Sequence, residues 1–138
     1  MPLLFPDVER ETRAYLLEVL GPRWPGLKVT TDSVPEDTDW QIDKPTMLVL
    51  TVSGPGTRVG VVYERVLIGV EVYAPTKSDA SLLATEVRAF LGDWPNRSGL
   101  VAGHTDNARP SSSADSDVAY PSYWYSANLL FKAETLTL

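Results

Sequence analysis

Residues 64–91 read ERVLIGVEVYAPTKSDASLLATEVRAFL, and two periodicities follow one another in them. From 64 to 74 the chain alternates. Val66, Ile68, Val70, Val72 and Ala74 fall on one face, and Arg65, Leu67, Gly69, Glu71 and Tyr73 on the other, which is the two-residue period of a strand. Pro75-Thr76 then breaks the strand. Thr76 and Asp79 have capping-box spacing, with Asp in place of the usual Glu. Ala80, Leu83, Ala84, Val87, Phe90, Leu91 and Trp94 recur at helical spacing. The spacing predicts a helix over 76–92, ended by Gly92 and Pro95. A strand–helix–strand unit of this kind usually crosses over right-handed to a parallel neighbour.

Before this block, residues 7–20 read as a first helix. Pro6 and Asp7 open it, Glu9 and Glu11 suit the positive end of its dipole, and Val8, Thr12, Tyr15, Leu16 and Val19 form its buried stripe. Gly21-Pro22 is expected to stop it, with the glycine in the left-handed conformation. A short strand follows near 27–32. Residues 32–45 hold Asp32, Glu36, Asp37, Asp39 and Asp43 between prolines, an acidic surface loop with Trp40 as its anchor. The run Thr-Met-Leu-Val-Leu-Thr-Val-Ser at 46–53 has the length and continuity of a strand covered on both faces. Residues 54–62, rich in Gly and Pro, read as a hairpin loop.

After the helix a weaker strand spans about 100–109. The Pro, Ser, Ala and Asp of 110–118 compose a mobile loop. The last strand runs over 119–134, with Tyr123, Tyr125, Ala127, Leu129, Phe131 and Ala133 on one face and a frayed tail after it. The expected fold is α+β over residues 1–138 as one domain: one mixed, mainly antiparallel sheet of four to five strands with two helices packed on one face.

Composition bounds the function. The 138 residues are 43% hydrophobic and 22% charged, a globular balance that buries roughly 65–70% of the unfolded surface. Twelve Lys+Arg against 18 Asp+Glu give a net charge of −6, which argues against a clamp on nucleic acid, since phosphate neutralisation needs a basic face. An acidic wall beside a DNA channel would instead let DNA slide. With no cysteine, disulfides and Cys-based zinc sites are excluded. Residues 1–6 have no basic n-region, and no apolar run approaches the roughly 18 residues of a membrane span. A cytoplasmic site of folding is expected, and the sequon Asn96-Arg97-Ser98 is then incidental.

Candidate chemistry is sparse. His104 and Asp106 share one strand face, as a metal or acid–base pair would, but the chain's single histidine leaves a ligand set incomplete, so they read as a surface pair. The carboxylates of 36–43 lack calcium-loop spacing. Gly54-Pro55-Gly56 has no Lys-Ser/Thr after it and reads as a turn. Ser111-Ser112-Ser113 lacks a nucleophile-elbow context. Tyr120, Tyr123, Trp124 and Tyr125 could stack bases, but without basic neighbours they suit core packing and a protein contact better. No catalytic, cofactor-binding or metal residue is assigned.

Three pieces resemble the tail terminator (head–tail joining) proteins of long-tailed bacteriophages, particularly those of actinobacterial phages. They are the opening Pro2-Leu3-Leu4-Phe5-Pro6-Asp7-Val8-Glu9 with Tyr15-Leu16, the strand–helix block 66–91 with Glu71-Val72-Tyr73-Ala74, and the aromatic strand 120–131. The resemblance spans nearly the whole chain and implies a structural role without catalysis. Such proteins form a ring, commonly a hexamer, that caps the tail tube, ends its growth and meets the head-side connector. DNA passes through the hole without specific binding, and no membrane is involved. The family has no side-chain motif to carry over. A stand-alone ligand-binding or regulatory α+β domain is the alternative, and a small hydrolase with His104 as base a third. In the ring reading, heterologous contacts are expected at the loops, through Trp40, Arg58, Val59, Val61 and Arg65. Opposite charge would steer Arg58 or Arg65 of one copy toward the acidic loop of the next.

Overall fold

The alternating strand of the opening block lies at the centre of the sheet. In the computed structural model, which describes residues 2–31, 46–51, 57–112 and 121–135, it is β5, Tyr63–Tyr73. Val66, Ile68, Val70 and Val72 are buried, at most 3% exposed. The other elements, in chain order, are β1 (Leu3–Leu4), α1 (Val8–Leu20), β2 (Lys28–Thr30), β3 (Thr46–Thr51), β4 (Thr57–Val59), α2 (Lys77–Arg97), β6 (Val101–Ser112), β7 (Ser122–Lys132) and β8 (Glu134–Thr135). The main sheet runs β2-β3-β5-β7-β6, and β4 adds to the outer half of β5. β2 is parallel to β3; the other pairs of the main sheet are antiparallel.

The α+β class and the mixed sheet stand as expected, with more strands than four to five. Six described strands form the main sheet, and β1 and β8 make a separate ribbon. That ribbon puts Thr135 opposite Leu3, where fraying was expected. β6 runs on to Ser112, past the expected end at 109, because its partner β7 continues to offer ladder positions up to Tyr123. β6 is parallel to β5 but not its neighbour. β7 inserts between them, antiparallel to both, so the helical crossover spans one strand. The loop expected at 32–45 lies outside the described residues; of the loop expected at 110–118, residues 110–112 belong to β6 and 113–118 lie outside them.

Both helices pack on the sheet face that carries the valines of β5, α1 over β2 and β3 and α2 over β5, β7 and β6. Asp7 caps α1 by accepting from the Arg10 amide at 3.3 Å, and Thr76 caps α2 by accepting from the Asp79 amide at 3.2 Å. Two expected helix stops act differently. Gly21 has φ −53°, a right-handed value. A Cβ there would lie 2.5 Å from the Leu17 carbonyl oxygen, so close approach, and not a left-handed turn, calls for glycine. α2 runs through Gly92 and Pro95 to Arg97. Proline removes a helical hydrogen bond, yet Trp94, 3% exposed, holds the last turn in place. Its ring stacks on Tyr15 of α1 at 4.4 Å and meets Phe131 of β7 edge-on at 5.7 Å. The Tyr15 hydroxyl also donates to the Phe90 carbonyl at 2.5 Å, and burial pushes its pKa up to about 12. Farther along, Glu86 of α2 accepts from Trp24 Nε1 at 2.6 Å and Arg23 Nε at 2.5 Å, tying the α1–β2 connection to α2.

Val70→Asp is expected to unfold or precipitate the protein, since an unpaired charge at this buried position costs several kcal/mol. Trp94→Ala should fold but lose about 3–5 kcal/mol in urea unfolding. A wild-type midpoint for either would show that this face is not the core.

Candidate functional site

β3, β4 and β5 form one long interrupted hairpin. Thr51 pairs with Ile68 and Thr57 with Arg65, so the first arm has five residues between its two ladders where the second has only Val66 and Leu67. The expected hairpin loop 54–62 therefore contains a strand, 57–59, before its closing turn. Val59 pairs with Tyr63, and 60–62 make the turn. Gly60 has φ +67°, a conformation open to glycine at little cost.

This geometry sorts the expected interface residues. Val61 is the most exposed of the large apolar residues described, at 74%. Val59 lies one step inside and is half-buried. Arg58 pairs with Glu64, and Arg65 with Thr57. Because side chains alternate along a strand, Arg58 shares the helix-covered face of Val66, whereas Arg65 points to the opposite face. The two arginines cannot meet one flat partner together. Arg58 is already engaged: its guanidinium lies 4.6 Å from the centre of the Phe5 ring, a cation–π contact. Arg65 is exposed. Trp40 and the acidic loop lie outside the described residues. The hairpin end is also fastened to the chain terminus, since the Ala133 amide donates to the Val62 carbonyl at 2.7 Å.

Of the pair His104–Asp106, expected at the surface, Asp106 is exposed and the His104 ring is largely covered. The strand alternation aims both residues at α2, and the His104 side chain is only 12% exposed. Tyr125 of β7, 1% exposed, donates its hydroxyl proton to Asp106 Oδ1 in a short hydrogen bond. His104 Nε2 lies 2.9 Å from the same hydroxyl. Arg88 of α2 donates to Asp106 Oδ2 from Nε at 3.0 Å and from its terminal nitrogen at 2.8 Å. Burial, and then the hydrogen bond to Asp106, push the Tyr125 phenol far above its ordinary pKa, so it stays neutral. Against the cost of burial, the bonds from Tyr125 and Arg88 lower the Asp106 carboxyl. A neutral phenol and an occupied carboxylate make a structural tie across three elements, not a nucleophile and its base. The two-residue spacing of His104 and Asp106 is legible in the sequence. Arg88 and Tyr125 are 18 and 19 positions from Asp106, and no local pattern marks them.

A third feature had no sequence signal. Glu11, Ala14, Glu18 and Val19 of α1 face Trp94, Arg97 and Leu100 across a surface cleft of about 530 Å³. Arg97 is held by Asp93 at 2.6 Å. Among the described residues no group of three or more potential metal ligands occurs, and no helix is long and apolar enough to cross a membrane.

Tyr125→Phe removes the hydroxyl that joins Asp106 to His104 and should cost about 1–3 kcal/mol in urea unfolding. Arg88→Ala breaks a pair whose arginine water already screens, and its loss should be clearly the smaller of the two. Equal losses would mean that the tie does not centre on the tyrosine. No protein-family model matches this chain, and no curated protein matches its sequence.

Proposed function

We propose that this chain is a structural virion protein, a tail terminator that acts at the head–tail junction and assembles in the host cytoplasm. Copies form a ring, as a hexamer in this reading. The ring caps the tail tube and ends its polymerisation. It joins the tube to the head-side connector and lets DNA pass. No catalysis and no cofactor are assigned to it.

The observation that carries this reading is the hairpin end. A turn raises Val61 clear of the fold with Val59 behind it and Arg65 on one flank. An exposed valine gains nothing in the isolated monomer, whereas a partner surface would bury it, worth about 1.5–3 kcal/mol per copy. A single ring multiplies that contribution by its copy number. The element order supports the same reading, because the three stretches that carry the resemblance build the β1 end, the β5–α2 block and β7 of one body. The net charge of −6 suits a wall along which phosphate does not stick. Trp40, Arg58, Val59, Val61 and Arg65 remain the residues assigned to contacts with neighbouring copies or the tube. Of those described, Arg58, Val61 and Arg65 are exposed and Val59 is half-buried.

The cleft beside Glu11 and Glu18 favours the second reading, a stand-alone domain that binds a small ligand. Oligomeric state separates the two. Negative-stain microscopy of the protein, alone and on purified tails, should show rings with a central hole; particles that are monomers in both would overturn the terminator reading. Replacing 55–61 with a short Gly-Ser turn removes no side chain of the buried core described. The variant should fold, lose ring formation and leave tails of uncontrolled length. Tails of normal length would remove this hairpin from the interface.

A further inference from the structure

The edge strand β6 is held unevenly. Among the described strands it pairs only with β7, and its register slips between Val101 and Gly103, between Asp106 and Ala108, and between Ala108 and Ser111. Val101 anchors its start in the core at 1% exposure, whereas 105–109 are exposed. What fastens the middle of the strand to α2 is the side-chain chain Arg88–Asp106–Tyr125–His104.

The protons in that chain can be placed. Tyr125 has one hydroxyl proton and gives it to Asp106 Oδ1. Its oxygen can therefore only accept from His104, so Nε2 of the neutral imidazole carries the hydrogen. Nδ1 is then the free lone pair, and it lies against α2. A Cβ built on Gly92 would be 3.8 Å from Nδ1 and 3.7 Å from Cε1. A second proton on His104 must enter at Nδ1, between the ring and the helix backbone. We propose that Arg88, Asp106, Tyr125 and His104 form a proton-operated latch, which holds β6 against α2 while His104 is neutral and loosens the strand when His104 is protonated.

The groups facing His104 decide the direction. Asp106 on its own strand, 3.6 Å from Nε2, favours the cation. Its two oxygens are already engaged by Tyr125 and Arg88. Arg88 on α2 opposes the cation, and Tyr125 on β7 is uncharged. Burial outweighs Asp106, so His104 is held below the ordinary histidine pKa, with Arg88 adding to the effect. A folded-state pKa below the unfolded one means that the open form binds the proton more readily. Stability is therefore lost as pH falls from about 6.5 toward the folded value, and across that window the closing equilibrium weakens by at most about tenfold each time the pH drops by one. Asp106, also lowered, adds a loss of the same sign in a more acidic window.

Hydrogen exchange of the native protein at about pH 7.5 and about pH 5, corrected for intrinsic rates, tests the latch. The expected result is exchange several-fold faster across 104–109 at the lower pH, with β5 still protected. His104→Gln keeps a side-chain donor without a titrating ring, and its β6 protection should not change between the two conditions. Unchanged protection in the wild type, or the same loss in the variant, would overturn the proposal. If the variant does not fold, the lone histidine can be titrated by NMR. Ring shifts that move in step with β6 exchange support the latch; a ring that titrates while β6 stays protected refutes it.

Discussion

The structure depends on β5 being paired along its whole length. All eleven of its residues stand opposite residues of β7, from Tyr63 against Lys132 to Tyr73 against Ser122, and β3 and β4 occupy its other side. Two interior strands therefore place eight apolar side chains in a single sheet face: Val66, Ile68, Val70 and Val72 beside Tyr125, Ala127, Leu129 and Phe131, all nearly or fully buried. A one-residue slip would turn every one of them to the other side. The helices then have a single surface to cover, and α2 follows directly because Pro75 and the Thr76 cap turn the chain back over the sheet, where α2 lies chiefly on β6 and β7.

Once that layer exists, the remaining ties are local. The Tyr15–Trp94–Phe131 contacts join α1, α2 and β7 at one end of the core. Glu86 with Trp24 and Arg23 joins the connection after α1 to the middle of α2. Arg88 joins α2 to Asp106 of the edge strand, and Tyr125 joins β7 to the same carboxylate. The three differ in kind. The aromatic contacts keep their strength through the ordinary pH range, while the pairs of Glu86 and Asp106 rest on charge, and only the last involves the chain's single histidine. A structure assembled in this way can keep its core and still vary the hold on one edge.

The hairpin end has the opposite character. Its backbone is well determined by cross-strand pairing and by the bond between Ala133 and Val62, but its side chains have little of the fold to pack on. Arg58 rests on Phe5, and Val61 is 74% exposed. Rigid backbone with exposed apolar side chains is suited to contact with another surface, since little conformational entropy remains to be lost on binding. In the proposed ring, the split of Arg58 and Arg65 between two faces would let a neighbouring copy engage one flank of the hairpin or wrap its tip.

The sequence by itself determined the α+β class, the central strand, both helix starts and the inward residues of β5 and β7. Each of these follows from a local period or a cap: alternate valines can be buried together only in a strand, and Thr76 can cap only the turn that follows it. It did not determine where α2 ends. Pro95 is a local stop signal, and it was overruled by the burial of Trp94 against residues 79 positions before it and 37 after it. Nor did it show that β7 enters between β5 and β6, because that order depends on which exposed ladder the last strand reaches. The His104–Asp106 spacing was legible, whereas its meaning was not. Only the tertiary structure brings Tyr125 and Arg88 to the pair and buries the ring, which turns two residues on a strand into a tie whose strength depends on a proton.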